Sequence, residues 1–478
     1  MPERIMAGRV ASLGRLLAGL LSVLLAYLAA VQVVWGPQIA DAPQNPRLAI
    51  AAQRIHWGRI LDRHLAVLAD SAEAGGHQVR RYPTGALFAH LLGYRTQRYG
   101  LAGIELQYDP ALLGLPARNP WQTIQQAFGR APRGNDLVLT VDSAVQQAAS
   151  QALGDRRGAV VALDPRTGAV LALLSHPSFD PEIMEAQWPA IARDPSAPLV
   201  DRATQGEYPP GSSFKPILLA AALARGRVTQ QAEFDCPGSI TVAGTTITDF
   251  NNESHGHVTL AQAFALSCNV TFVQVGLLTG AQAVLRTAEA LGLGRAPQFD
   301  LPTGAGHLPD PHALGKRGLA QIAIGQGPLL VTPLQMALVA AAIGNHGVMM
   351  RPFLLSQVRD PDGRILATYA QRGSREVLPA RLAAQVTRDM IGVVESVNGT
   401  GTAAQIAGVR VAGKTGTAEN PHGPPHAWFI AFAPAVRPSA AVAVLLENAG
   451  VGGEVAAPVA RRVLEVALRA QSAGGNRP

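Results

Sequence analysis

A chain of 478 residues, 48% hydrophobic and 15% charged, is long enough to bury the cores of two or three domains, which excludes intrinsic disorder. Its formal net charge of +7 is carried by scattered arginines with no basic run interleaved with aromatics, so no nucleic-acid partner is expected. Two cysteines, Cys236 and Cys268, are too few for a disulfide scaffold; a single bridge is open in an oxidising compartment, but buried free thiols are the favoured expectation.

In chain order, Arg4, Arg9 and Arg15 precede residues 16–35, LLAGLLSVLLAYLAAVQVVW, an uncharged stretch long enough to cross a bilayer as one helix. The basic side is expected to keep residues 1–15 in the cytoplasm and to place residues 36–478 outside it. The form A-x-A at 40–42 also fits a cleaved signal peptide, but the apolar run exceeds the usual signal core of about 7–15 residues, which favours a retained anchor. Residues 36–132 mix short apolar runs with Gly, Pro and Arg and show no long periodic helix. A domain boundary is expected near 133, where 137–153 pass from a strand pattern to a helical one after the N-cap candidate Asp142. Residues 158–164 and 169–175 flank the turn Pro165-Arg166-Thr167-Gly168 and predict a hairpin. Helices are expected over 216–226, 260–278 and 332–347, and strands over 409–413, 427–434 and 440–448. Strands at both ends of a segment with helices between them point to a mixed α/β domain whose sheet joins the two chain ends. A catalytic domain over 133–472 would leave 473–478 as a disordered tail.

The first chemical signal is a choice of cation. Lysine occurs only at 215, 316 and 414, the other basic positions being arginine. A site that keeps lysine against that bias needs what guanidinium cannot do, and a desolvated ammonium can give up its proton and act as a base. Lys215 lies in EYPPGSSFKP (207–216), where Pro-Pro-Gly favours a turn and the apolar run after Pro216 a helix. Ser212 and Lys215, three apart, then project from one face of a helix start, where the amine can approach the hydroxyl. Taken alone, S-x-x-K is better explained by Ser212 as an ordinary N-cap.

Two further elements follow in order: Ser267-Cys268-Asn269 inside the apolar run 260–278, and Lys414-Thr415-Gly416-Thr417 after the strand-like VRVAG. S-x-x-K, S-x-N and K-T-G in this order are the three elements of active-site serine penicillin-recognising enzymes. With YPPGSSFKP, LSCNVTFVQVG, GKTGTAE and PPHAWFIAFAPA, the chain resembles the class B penicillin-binding proteins, monofunctional peptidoglycan D,D-transpeptidases, and in particular their short actinobacterial members. The likeness extends to GRILDR (58–63), GLAGIELQYDPALLG (100–114) and DLVLTVDSAVQQAA (136–149).

The resemblance implies a transmembrane helix, a small α+β pedestal of the dimerisation type over 36–132, and a transpeptidase domain with an antiparallel sheet flanked by helices. It makes Ser212 the acylated nucleophile and Lys215 its general base. Ser267 would relay a proton to the leaving D-alanine, and Asn269 would bind the acyl-side amide. Lys414 and Thr415 would hold the substrate's terminal carboxylate, with Gly416 in the substrate-binding strand and Thr417 adding a contact. Backbone N–H groups of Ser212 and Thr417 would form the oxyanion hole. Implied partners are peptidoglycan stem peptides, β-lactams and a membrane-embedded SEDS-type glycan polymerase engaged through helix 16–35 and the region of Arg59 and Asp62. No cofactor is implied.

Three readings that share the serine chemistry compete, and one of a different class. A carboxypeptidase or β-lactamase would use the same groups with water as acceptor, a penicillin sensor would keep acylation without turnover, and an idle scaffold would need none of the intact motifs. Residues 36–132 are too few for a second, glycosyltransferase domain. Gly408 to Thr415 fits G-x-x-x-x-G-K-[ST] literally, but a phosphate-binding loop must run into a helix, which TAENPHGPP (417–425) cannot begin. No H-E-x-x-H or paired C-x-x-C accompanies the histidines, so no metal site is expected. Asn398-Gly399-Thr400 reads as a glycosylation sequon without use in a bacterial envelope.

Overall fold

The computed structural model describes residues 2–31, 55–75, 77–114, 133–226, 228–370, 373–421 and 423–474. Helix α1 (Pro2–Ala30) takes in the basic leader as well as most of the apolar run, so the expected tail 1–15 and the span share one helix. Pro2 is tolerated in the first turn, and the leader has no other strong helix breaker. Residues 32–35 of the expected span lie outside the described residues. The 19 residues Ser12–Ala30 have mean hydropathy 1.9 and none is buried by protein. At 1.5 Å per residue they extend about 28 Å, close to the hydrocarbon thickness of a bilayer.

Of the expected pedestal, residues 55–75 and 77–114 are described. Its strands β1 (Ile60–Leu61), β2 (Val67–Ala74) and β3 (His77–Arg81) pair antiparallel from β1 to β3. Beyond the boundary expected near 133, β4 (Asp136–Leu139) pairs parallel with β1, so pedestal and catalytic region share a sheet. Asp142 caps α2 (Ser143–Leu153), its carboxylate accepting from the N–H groups of Ala144 and Val145. The hairpin is β5 (Gly158–Leu163) and β6 (Val170–His176).

A 3₁₀ turn, Gly211–Phe214, leads into the buried helix α3 (Lys215–Ala224). Short strands β7 (Glu233–Cys236), β8 (Ser239–Val242), β9 (Thr245–Thr248) and β10 (Gly256–Thr259) pair β7 with β10 and β8 with β9. The helix expected over 260–278 is two helices, α4 (Leu260–Ala265) and α5 (Asn269–Thr279), broken at the S-x-N residues. Helix α6 (Pro333–Gly344) is buried throughout; β11 (Leu355–Arg359) and β12 (Ile365–Thr368) follow, then α7 (Ala380–Glu395). The last strands are β13 (Ala412–Asn420), β14 (Gly423–Ala433) and β15 (Ala440–Leu446), and α8 (Ala457–Gly474) closes the fold, two residues beyond the expected domain end.

Strands β13-β14-β15-β5-β6 form one antiparallel sheet joining early and late chain segments, while β12-β11-β4-β1-β2-β3 form the other large sheet. Strand β15 shows why the first sheet is central. Ala441, Ala443 and Leu445 pack with Leu334 and Leu338 of α6, while Val442, Val444 and Leu446 face Val463 and Leu464 of α8. Its period-two alternation therefore places apolar groups on two buried faces, and the strand reads as one continuous apolar run. Ile60, Leu68 and Phe88 of the pedestal belong to the same core as Phe214 and Leu218.

Candidate active site

The three motifs converge on a cleft of about 620 Å³ lined by Ser212, Ser267, Asn269, Thr415 and Thr417, with residues 245–253 along another wall. Ser212 sits in the 3₁₀ turn before α3, and Pro216 falls in the first turn, where a missing N–H is harmless. Two glycines let this turn press against β13. A Cβ on Gly211, which has φ +54°, would lie 2.6 Å from the Thr417 carbonyl oxygen, and one on Gly416 would lie 2.7 Å from that of Pro210. Trp428 and Ser213 hold the same turn, donating to the carbonyls of Pro209 and Pro210 at 3.0 and 2.7 Å.

Lys215 opens a helix whose residues are buried through Leu223, and it is itself fully buried. Its Nζ donates to the Ser267 carbonyl at 2.6 Å and to Asn269 Oδ1 at 2.9 Å, lies 3.4 Å from Ser267 Oγ, and sits 5.2 Å from the Phe272 ring centre. Burial brings its pKa down to about 8, the nearby Cys268 and Asp249 opposing the fall. Among the described residues Ser212 Oγ makes no hydrogen bond, so the expected pairing of Lys215 with that hydroxyl is not among the hydrogen bonds Lys215 makes. The amine instead meets three oxygen atoms, the Ser267 carbonyl, Asn269 Oδ1 and, at greater length, Ser267 Oγ.

The S-x-N residues form a turn between helices. The capping box of Thr259 and Gln262 starts α4, and Ser267 adopts the left-handed conformation, φ +60°, that ends this helical stretch. Cys268 Sγ then accepts from the Thr271 N–H, and Asp249 Oδ1 accepts from the N–H groups of Asn269 and Val270, together capping α5. Continuous apolar character hid this break, because serine carries no sequence signal for positive φ. Asn269 uses both ends of its amide, accepting from Lys215 and donating to the Thr248 carbonyl at 2.9 Å.

The K-T-G residues lie inside edge strand β13, not after a strand ending at 413, and no helix follows them, which disposes of the phosphate-loop match. Lys414 is fully buried; its Nζ donates to Ser267 Oγ at 2.8 Å and lies 5.7 Å from the Phe264 ring centre. Burial, and then the charge of Lys215, holds its pKa well below the ordinary lysine value. Ser267 Oγ is thus shared by two lysines, neither of which is ion-paired among the described residues. Thr415 Oγ1 is 2.8 Å from Thr400 Oγ1, and Thr417 Oγ1 is 3.5 Å from the Gly452 N–H.

Sequence reasoning missed Thr400, noticed only as part of a sequon, and the wall built by residues 245–253. It also missed a convergence beside the S-x-N turn of Cys236, Asp249, His255 and Cys268, whose ligand atoms all lie within 4.8 Å of one another. Their separations in sequence form no familiar metal motif. Both cysteines are buried and unbridged, as expected.

Comparison with known proteins identifies the family. The "Penicillin binding protein transpeptidase domain" family matches residues 158–465, and the "Penicillin binding protein A dimerisation domain" family residues 57–137. The chain is 36% identical to the peptidoglycan D,D-transpeptidase PbpA of Mycobacterium tuberculosis, over 95% of this chain and 97% of that one. It is equally identical, at 36%, to PbpA of Mycolicibacterium smegmatis, over 94% and 96%. The solved penicillin G acyl-enzyme complex of penicillin-binding protein A from M. tuberculosis superposes with a TM-score of 0.80 at 36% identity, covering 86% of this chain and 99% of that one.

Proposed function

The chain belongs to the penicillin-binding protein transpeptidases, and from that premise we propose how its residues divide the work. The protein is a membrane-anchored serine-type D,D-transpeptidase that cross-links peptidoglycan stem peptides and is acylated by β-lactams. The observation that supports the residue assignment is that Ser267 Oγ stands 3.4 Å from Lys215 Nζ and 2.8 Å from Lys414 Nζ in the cleft that Ser212 enters.

Neutral Lys215 accepts the Ser212 proton as Oγ attacks the carbonyl of the penultimate D-alanine. The resulting oxyanion is held by the N–H groups of Ser212 and Thr417, a role consistent with the close packing that Gly211 and Gly416 allow between the turn and β13. The C–N bond then breaks, and the departing D-alanine amine takes a proton passed from Lys215 through Ser267. An ester remains on Ser212. An acceptor amine from a second stem peptide attacks this ester, loses its proton to the same relay and restores the serine. Lys414, Thr415 and Gly416 bind the donor's terminal carboxylate, Thr417 adds a contact, and Asn269 turns from Lys215 to the acyl-side amide.

The basic leader points to a cytoplasmic N-terminus and an extracytoplasmic cleft. A SEDS-type polymerase, engaged through α1 and the segment around Arg59 and Asp62, would supply the glycan strands. The assignment is tested by intact mass and peptide mapping after incubation with penicillin. One adduct on Ser212, absent from Ser212→Ala and lasting many minutes, is expected. A label on Ser213, or on the Ser212→Ala protein, sinks the nucleophile assignment, and turnover within seconds would mean hydrolysis in place of transpeptidation.

A further inference from the structure

The chain enters the Ser212 turn through Tyr208, a residue held on every side. Its N–H and carbonyl exchange hydrogen bonds with those of Val331, both at 2.9 Å. Its ring lies against Gly206, where an added Cβ would fall 2.6 Å from ring carbon Cε2 and 2.7 Å from the hydroxyl oxygen. The rings of His426 and Trp428 meet it edge to face, with centres 5.6 and 6.4 Å away. Its hydroxyl donates to Glu447 Oε1 at 2.7 Å.

Glu447 directly follows β15, and its side chain is 10% exposed. Oε1 also accepts from Arg202 Nε at 2.8 Å, and Oε2 pairs with Arg157 Nε at 3.0 Å. Arg202 is buried and spends its other nitrogens on the Ser196 and Ala197 carbonyls at 2.7 and 3.0 Å. Segments before β5, before the Ser212 turn and after β15 thus converge on one carboxylate. Burial opposes the charge of Glu447, but the bond from Tyr208 and the charge of Arg202 outweigh it and hold its pKa below the usual carboxylate value. Burial, and then the charge of Glu447, pushes the Tyr208 pKa up, so its hydroxyl stays a donor.

The use of this tie follows from how the turn meets β13. Gly211 and Gly416 bring backbone against backbone, so the contact is close but carries no side chain to set where along β13 the serine stands. Trp428 Nε1 and the Gly325 carbonyl each fix one point of the turn, at Pro209 and at the Gly211 N–H. Tyr208 adds a charge-assisted bond to the end of β15, two strands away from β13. We propose that Tyr208 and Glu447 are positioning residues for acylation: the bond between them fixes the entry to the turn so that Ser212 Oγ meets the bound carbonyl at the distance and angle of attack. Neither lines the cleft, so they act through Ser212 and not on the substrate. Arg157 and Arg202 keep the carboxylate charged and in place, which makes it the rigid end of the tie. The proposal rests on Ser212 being the nucleophile.

The test follows acylation of detergent-purified full-length protein by penicillin G. Quenched-flow intact mass at rising drug concentration separates the limiting rate of ester formation from the dissociation constant of the complex that precedes it. Tyr208→Phe removes a single oxygen. Its limiting rate should fall between about tenfold and 10²-fold, the scale on which displacing a reacting group by about 1 Å acts, with the dissociation constant unchanged within about twofold. Glu447→Gln keeps an acceptor for Tyr208 and should retain more of the rate than Glu447→Ala. Adding Tyr208→Phe to Glu447→Ala should cost little more, because the two side chains act as a unit. Thermal midpoints are read alongside. A Tyr208→Phe protein with the wild-type limiting rate, a change confined to the dissociation constant, or a rate loss that follows a lowered midpoint and disappears on cooling would each overturn the proposal. Wild-type protein that takes up penicillin elsewhere than on Ser212 would instead bring down the nucleophile assignment on which the proposal rests.

Discussion

Two lysines enclosed without an ion-pair partner among the described residues set the chemistry at the scale of single residues. With its pKa near 8, Lys215 is mostly ammonium at pH 6 and mostly amine at pH 9, and only the amine can take the Ser212 proton. The second-order rate of penicillin acylation should therefore rise about tenfold per pH unit below 8 and level off above it. Lys215→Arg keeps the charge but cannot accept the proton, and should lose about 10²–10⁴-fold together with the pH dependence. A Lys215→Arg protein acylated at near-normal rate would show that charge alone is required. The scarcity of lysine made Lys215 and Lys414 legible in the sequence, since both stand where arginine would be the chain's ordinary choice. Thr400 was not legible: a threonine between glycines carries no mark of the Thr415 hydroxyl it meets 2.8 Å away.

Among the elements, the strands and helices with plain periodicity lie close to their expected places, as β5, β6, α3 and α6 show. The errors fall where a tertiary contact overrides local pattern. Strand β13 begins at Ala412 because pairing with β14, not β-branched composition, sets its limits, and the α4–α5 break depends on Asp249, distant in sequence, capping the second helix. Helix α7 carries a further consequence. Asp389 on its inner face is 6% exposed; its Oδ1 accepts from Gln230 Nε2 at 2.9 Å, while Oδ2 has no partner among the described residues. Burial lifts its pKa to about 6, against the hydrogen bond from Gln230. The folded chain thus favours the protonated acid, so its stability advantage is complete below about pH 4 and is lost as pH rises through about 6. At pH 8 the buried carboxylate costs up to about 3 kcal/mol, from a shift of about two units. Asp389→Asn should raise the thermal midpoint at pH 8 and leave it nearly unchanged at pH 4; an equal shift at both would mean the charge is not the cause.

Across the whole molecule, the sheet that joins β5 and β6 to β13–β15 explains why motifs two hundred residues apart meet, and strands at both chain ends made that closure legible. The pairing of β1 with β4 was less so, because two-residue strands leave almost no periodic signal. Helix α1 stands apart from both sheets energetically: Leu16 and Leu20 are 61% and 60% exposed, and no side chain of Ser12–Ala30 is buried. Removing it exposes no core, so folding and acylation should survive its loss. On the proposed reading its apolar length lies in lipid, where it would hold the cleft near newly made glycan and bring the chain against the proposed membrane-embedded polymerase. A chain lacking residues 1–35, exported by a cleavable signal sequence, should bind penicillin within about twofold of the full-length rate, a change under about 0.5 kcal/mol. It should nevertheless fail to support growth as the only copy. Growth at the full-length rate, with the truncated protein shown to be outside the cytoplasm and free of the membrane, would remove the need for a partner within the bilayer and leave α1 as a tether alone.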